Sequence, residues 1–148
     1  MVKPGRVSHQ PGHIIDLMAT CLDLAGATYP RTYNGHTITP TEGISLVPLL
    51  KGQSRLGQSR LSPAWTGHDV LYFEHEGNRA VRQGDWKLVS TYPADSWALY
   101  NLKTDRTELH DRSQQQPQRV RQMAALYDAW AKRVGVIPYA KLTKLAEN

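Results

Sequence analysis

Alternating hydrophobic and polar positions dominate the second half of the chain. A β-prone run at Val70–Glu74 is followed by alternating stretches near residues 78–83, 86–92 and 96–101, with Gly84 in the connection between the second and third runs. A period of two is typical of strands with one buried face, and the short separations favour antiparallel neighbours over parallel crossover units. The pattern therefore predicts a four-stranded antiparallel sheet.

A change of period after Pro117 predicts a helix that packs on this sheet. Apolar side chains then recur every three or four residues, at Val120, Met123, Tyr127, Trp130 and Val134. Pro117 suits a first helical turn, whereas Gly135 and Pro138 are stop signals. One helix packed on one face of a small sheet forms a two-layer fold that can bury its own core, so we predict an α+β unit. Three tryptophans are expected in its core: Trp86, Trp97 and Trp130.

The first half of the chain predicts a helix that lacks a core of its own. Residues 13–25 carry apolar side chains at a density that suits a helix buried on most sides, and Gly26 is placed to end it. Residues 27–43 indicate an extended surface segment, and residues 44–50 a short apolar stretch. Because an isolated helix of this length is marginal in water, it needs a body to pack against.

Composition narrows the function classes only slightly. The 148 residues include 18 basic and 13 acidic side chains, which give a net charge of +5. Because the charges do not cluster in one block, solvated protein faces are a simpler interpretation than a surface that binds polyanions. Cys21 is the only cysteine, which excludes an internal disulfide, and the histidines lack metal-ligand spacing. No apolar run approaches the roughly 20 residues of a membrane span. The first residues lack the apolar core of a secretory signal peptide.

Five motifs in order resemble the C-terminal end of arylsulfatase-type, formylglycine-dependent sulfatases. Residues 13–26 resemble the family's His-x-x-Asp-Leu-x-Pro-Thr-x-Leu-x-Leu-Ala-Gly, with Ala19 in place of proline, and residues 43–52 resemble Gly-x-Ser-Leu-x-Pro-Leu-Leu-x-Gly. Three further elements follow in the family's order: the strand motif at His75–Val89, the strand Leu99–Leu102, and a turn with Asp105 and Glu108. The likeness covers about residues 8–135.

The resemblance implies an enzyme that hydrolyses aryl or carbohydrate sulfate esters in a large catalytic domain similar to alkaline phosphatase. In that family the nucleophile is a formylglycine made within Cys/Ser-x-Pro-x-Arg, and a divalent metal, usually calcium, polarises the sulfate. Cys21 is followed by Leu-Asp-Leu-Ala, and Ser62 also lacks the required arginine. We therefore expect no catalytic residue, metal ligand or cofactor in this chain. We expect it to be inactive by itself and to serve as a scaffold and cleft wall.

The resemblance also implies a division into three parts. Residues 1–55 would be a helix and strap at the end of the catalytic domain, residues 56–69 a linker or loop, and residues 70–148 the C-terminal α+β subdomain. The chain would then be the distal part of a sulfatase, or a reading frame that starts inside one. The source compartment stays open, because the parent family is commonly periplasmic, secreted or lysosomal while this chain carries no export signal of its own.

The substrate-side candidates are His75 and Asn78. In the family's strand motif this region leans toward the substrate cleft, so His75 is a candidate donor to a substrate group beyond the sulfate; the alternative is an ordinary strand-end polar pair. Glu76 is expected to face away from His75. Arg79 and Arg82 are interpreted as outward charges on an exposed strand face, with contact to a sulfate as the alternative.

Two kinds of partner follow from the exposed apolar helix. Residues 13–26 would form a large apolar patch unless a missing N-terminal catalytic domain or a second copy of the chain covers it. No membrane is expected, and nucleic acid is a weaker candidate because the charges are scattered. The rival function is a free-standing basic module that binds sulfated glycans or nucleic acid through ionic and stacking contacts. A gene remnant without a function of its own is the third alternative.

Overall fold

The computed structural model describes residue 5, residues 7–51 and residues 67–146. The chain divides into two compact units, residues 1–68 and residues 69–148. Most of the predicted linker, residues 56–66, lies outside the described residues. In the part of the chain that the structure describes, no helix is both long enough and apolar enough to cross a bilayer.

The first unit consists of short elements. In chain order these are helix α1 (Asp16–Ala25), strands β1 (Thr32–Tyr33) and β2 (His36–Thr37), and the single helical turn α2 (Val47–Leu50). Helix α1 ends as predicted, with Gly26 in the left-handed region at φ 62°. The segment predicted to be only extended contains the antiparallel hairpin of β1 and β2.

Helix α1 is unusual in what it buries. Its buried side chains are the polar ones, Asp16 and Thr20, whereas Leu17, Met18 and Leu24 are 58%, 55% and 70% exposed. The sequence pattern predicted a helix buried on most sides. The apolar side chains that produced this pattern instead lie on the surface.

The second unit confirms the predicted α+β fold. Strands β3 (Val70–His75), β4 (Asn78–Gln83), β5 (Trp86–Ser90) and β6 (Trp97–Asn101) form an antiparallel sheet in sequential order, followed by helices α3 (Pro117–Val134) and α4 (Tyr139–Ala146). Glu76 and Gly77 join β3 to β4 at φ 51° and 81°, the two positive values that a type I′ turn requires. Helix α4 was not predicted.

The core of the second unit is one cross-strand row under helix α3. Tyr72, Val81, Leu88 and Leu99 are successive register partners, and the last three are fully buried. Met123 and Tyr127 of α3 close the cluster, with the three predicted tryptophans packed around it. Burying one such side chain stabilises the fold by about 1.5–3 kcal/mol. This row fixes where helix α3 lies on the sheet.

The turn motif after β6 covers the exposed edge of the sheet. The amide of Leu99 donates to Asp111 Oδ1 at 2.9 Å, and the amide of Arg112 donates back to the Leu99 carbonyl at 2.7 Å. Asp105 accepts the amides of Leu109 and His110 within the same loop. Asp105 of the fifth motif therefore holds backbone within the loop, whereas Glu108 of that motif accepts a hydrogen bond from Lys87 Nζ at 2.6 Å.

Candidate functional site

A polar cross-strand row lies beside the core row, on the same face of the sheet. Glu74 pairs in register with Arg79, Arg79 with Ser90, and Ser90 with Trp97. Because side chains alternate between the two faces of a strand, Arg79 shares the helix-covered face with Val81 two residues later. The expectation that Arg79 is an outward charge is therefore wrong.

Arg79 is held by neighbours on several sides. Its Nη2 donates to Ser90 Oγ at 3.1 Å and forms an ion pair with Asp95. The guanidinium carbon lies 4.7 Å from the ring centroid of Trp97 and 5.5 Å from that of Tyr127. Ring faces attract a cation at these distances. Arg82 lies on the opposite face and donates from Nε to the Gly84 carbonyl at 3.3 Å.

A cavity of about 460 Å³ opens above the polar row. Its walls come from β3 and β4, the connection after β5, the C-terminal half of α3 and the segment that leads into α4. The charged wall residues are Glu74, Arg79, Asp95 and Asp128, and the aromatic ones are Tyr92, Tyr127 and Tyr139. Three carboxylates thus face one guanidinium, which is already paired with Asp95. The remaining wall is largely apolar, as is usual in small-molecule sites.

Tyr127 is the buried polar group of this cavity. Its side chain is 3% exposed, and its ring centroid lies 5.8 Å from that of Trp97 and 5.6 Å from that of Trp130. Burial raises the pKa of the phenol, and the negative charges of Glu74 and Asp128 raise it further, against the opposing effect of Arg79. The hydroxyl therefore stays protonated and neutral at physiological pH.

The two predicted site residues have different surroundings. His75 is the last residue of β3, and its side chain is 81% exposed. Its Nδ1 atom lies 3.8 Å from Glu76 Oε2. Glu76 was expected to face away, but β3 ends at His75 and the turn redirects the next residue. The Asn78 amide donates from Nδ2 to the His75 carbonyl at 3.0 Å and accepts the Tyr92 amide at 3.2 Å. Asn78 therefore positions Tyr92, a wall residue of the cavity.

A buried carboxylate in the first unit joins the first two motifs. Asp16 is fully buried, and its two oxygens accept the amide of His13 at 2.8 Å and the amide of Ile44 at 2.9 Å. The Nε2 atom of His68 lies 2.6 Å from Asp16 Oδ1, and it carries the proton because an ionised carboxylate only accepts. Thr20 extends the link by accepting the Leu46 amide.

Opposing effects set the ionisation of Asp16. Burial alone raises its pKa, but the hydrogen bond from the Ile44 amide, together with those from His68 and His13, outweighs burial and leaves the pKa below its ordinary value. The carboxylate is therefore ionised under ordinary conditions. Sequence spacing gave no sign of a bond that joins residues 28 positions apart.

No metal centre is found among the residues that the structure describes. Within those ranges, no group of three or more His, Cys, Asp or Glu side chains is arranged to hold a metal ion. The side chains present thus do not fit the calcium site that the resemblance implies for the whole enzyme.

Comparisons with known proteins converge on one group of enzymes. No protein-family model matches the chain. The ulvan-active sulfatase of Formosa agariphila is 24% identical over 102 residues, which cover 69% of this chain and 19% of the relative. Arylsulfatase K of Xenopus laevis is 28% identical over 131 residues, covering 82% of this chain and 22% of the relative.

Solved structures agree on the fold. A 2-O GAG sulfatase superposes with a TM-score of 0.59 at 24% identity, covering 82% of this chain and 25% of that protein. The chain therefore spans about a fifth to a quarter of the length of the proteins that it matches.

Proposed function

We propose, since this chain belongs to the sulfatase family and corresponds to a C-terminal portion of its members, that it completes the fold of an enzyme that hydrolyses aryl or carbohydrate sulfate esters. In this role the chain is a scaffold and forms one wall of the substrate cleft. The nucleophile and the metal ligands belong to a part of the enzyme that precedes the region matched here.

The observation that carries this proposal is the surface of helix α1. Asp16 fixes the helix to the second family motif through Ile44, so the helix is held in place. Its apolar side chains Leu17, Met18 and Leu24 nevertheless remain exposed. Apolar surface of this kind gains about 25 cal/mol per Å² when it is removed from water. A sulfatase catalytic domain packed against α1 would bury it.

We assign the catalytic groups of the family to a part of the enzyme outside this chain. The sequence contains no Cys/Ser-x-Pro-x-Arg segment, and its described side chains do not fit a divalent metal. Formylglycine and calcium would supply the nucleophile and the Lewis acid in the complete enzyme. What this chain contributes is His75, whose exposed imidazole we assign as a donor to a substrate group beyond the sulfate, and Asn78, which holds the hairpin that presents it.

An activity assay tests the proposal. The purified chain, incubated with a chromogenic aryl sulfate and calcium, should release no phenol above the rate of a buffer blank, while a complete arylsulfatase in the same buffer gives the positive control. Turnover that scales with the concentration of the chain would overturn the assignment of the nucleophile to another part of the enzyme.

A further inference from the structure

The tip of the hairpin between β1 and β2 carries an Asn-Gly pair. Asn34 and Gly35 form the two-residue loop between the register partners Tyr33 and His36, at φ 48° and 79°. Asparagine tolerates this left-handed region and glycine adopts it without a steric penalty. Both loop residues are exposed, so the side-chain amide of Asn34 and the backbone nitrogen of Gly35 lie at the surface.

The backbone nitrogen of Gly35 is suited to attack the side-chain carbon of Asn34. The ladder bonds of a two-residue hairpin loop join the flanking residues, here Tyr33 and His36, so the Gly35 N–H takes no part in the ladder. Glycine has no side chain to obstruct the attack, and the space beside its Cα is open, since a Cβ there would meet no heavy atom within 4 Å outside its chain neighbours. Attack on Asn34 Cγ closes a five-membered ring.

The hairpin is small enough to open. Each strand has two residues, and all four strand residues are exposed. Two-stranded hairpins are marginally stable in water, and segments with few buried contacts open at a low cost in free energy. Asn34 therefore has access to conformations outside the turn, including the one that ring closure requires.

We propose that Asn34 deamidates without an enzyme, by way of a cyclic succinimide formed with Gly35. The Gly35 nitrogen gives its proton to hydroxide or water and bonds to Asn34 Cγ, while the Cγ–Nδ2 bond breaks and the side-chain nitrogen leaves as ammonia. Water then opens the ring at either carbonyl, which produces aspartate or isoaspartate at position 34. Nothing is oxidised or reduced, and the reaction does not depend on the sulfatase assignment.

The products change both the charge and the backbone of the hairpin tip. A neutral amide becomes a carboxylate, which lowers the net charge from its value of +5. Isoaspartate also routes the main chain through the side-chain methylene, so the loop becomes one atom longer than a two-residue turn. The amide of Ile38, which donates to the Arg31 carbonyl at 3.1 Å across the hairpin, should then lose protection from hydrogen exchange.

The experiment is incubation of the full chain at mildly alkaline pH and physiological temperature, followed by trypsin digestion and peptide mass spectrometry. Residues 32–51 form one tryptic peptide, in which Asn34 is the only amide side chain. Electron-transfer fragmentation distinguishes isoaspartate from aspartate, and digestion of a sample that was not incubated gives the background. A mixture of both products at position 34 is expected. An unmodified peptide, or aspartate without isoaspartate, would overturn the proposal.

Two other asparagines are internal controls, because neither precedes glycine. Leu102, which follows Asn101, donates its amide to the Asp85 carbonyl at 2.7 Å, so the attacking nitrogen is occupied. The side-chain amide of Asn78 is hydrogen-bonded to backbone through both its nitrogen and its oxygen. Asn34 should therefore deamidate at least about tenfold faster than either, a barrier difference of about 1.4 kcal/mol. Equal rates at the three sites would contradict the assignment.

A substitution separates the cyclic route from direct hydrolysis of the amide. Asn34→Gln keeps a side-chain amide but would have to close a six-membered ring, so modification at position 34 should fall at least about tenfold. An opened hairpin would raise the rate, so misfolding of this variant cannot produce the fall. Thr37→Ser on the opposite strand is the matched control and should leave the rate at Asn34 unchanged. Modification of Asn34→Gln at the wild-type rate would refute the succinimide.

Discussion

Replacing Asp16 with asparagine should destabilise the first unit by about 1.5–3 kcal/mol. The carboxylate accepts the amides of His13 and Ile44 on different oxygens, and His68 on one of them. Asparagine keeps the shape but has one carbonyl oxygen, so its NH₂ group must face at least one backbone donor. Losing one hydrogen bond to a charged, fully buried group costs about that amount.

The cost of Asp16→Asn should depend on pH in a defined direction. The pKa of Asp16 is lowered in the folded chain, against about 3.9 when unfolded. A group with a depressed folded pKa stabilises the fold above its unfolded pKa, and this stabilisation is lost as the pH falls toward the folded value. The difference in stability between wild type and Asp16→Asn is therefore fully present at pH 6 and becomes smaller below pH 4.

Amide hydrogen exchange is the suitable assay, because it reports local opening in one unit without requiring two-state unfolding of the chain. The amides of Ile44 and Leu46 should exchange roughly 10- to 100-fold faster in Asp16→Asn at pH 6, by the conversion of 1.4 kcal/mol per tenfold. Leu24→Ala on the same helix, at a side chain that is 70% exposed, is the control and should change protection less than about twofold, since surface substitutions usually stay within 0.5 kcal/mol. Equal protection in wild type and Asp16→Asn would refute the reasoning.

Two further variants probe packing. Leu88→Ala removes a fully buried side chain from the core row and should lower the free energy of unfolding of the second unit by about 2–5 kcal/mol in urea titrations followed by tryptophan fluorescence, whereas exposed Leu109→Ala should cost less than about 0.5 kcal/mol. Gly43→Ala would place a methyl group 2.1 Å from the carbonyl oxygen of Ile15, so the segment must move away from α1. Loss of amide protection at Ile44 is expected, and unchanged protection would contradict that close approach.

The regular elements were predictable because each is encoded locally. The two-residue period predicts the four strands. Pro117 and Gly135 mark the residues at which helix α3 begins and is capped. The hairpin of β1 and β2 has a local sequence signal in the Asn34-Gly35 pair, which is typical of type I′ turns. Its strands of two residues are too short to show a period.

The candidate site was less predictable because its parts are distant in sequence. The Arg-Ala-Val-Arg stretch suggested charges on an outer face, yet period two places Arg79 with buried Val81, and helix α3 decides which face is covered. Pro138 is a stop signal for helix α3, but it also directly precedes helix α4. The cavity needs walls from β3, α3 and the approach to α4, so no local spacing reveals it.

The measurement that decides most directly whether this chain is part of a larger sulfatase is the mass of the native protein. An antibody raised against residues 69–148 should isolate, from the source cells, a polypeptide roughly three to four times the 16.7 kDa of this chain, because the matched 69–82% of this chain covers 19–25% of the matched proteins. Peptide mass spectrometry of that species should find an upstream Cys/Ser-x-Pro-x-Arg segment with formylglycine at its first position. A native species of 16.7 kDa alone would contradict the scaffold role.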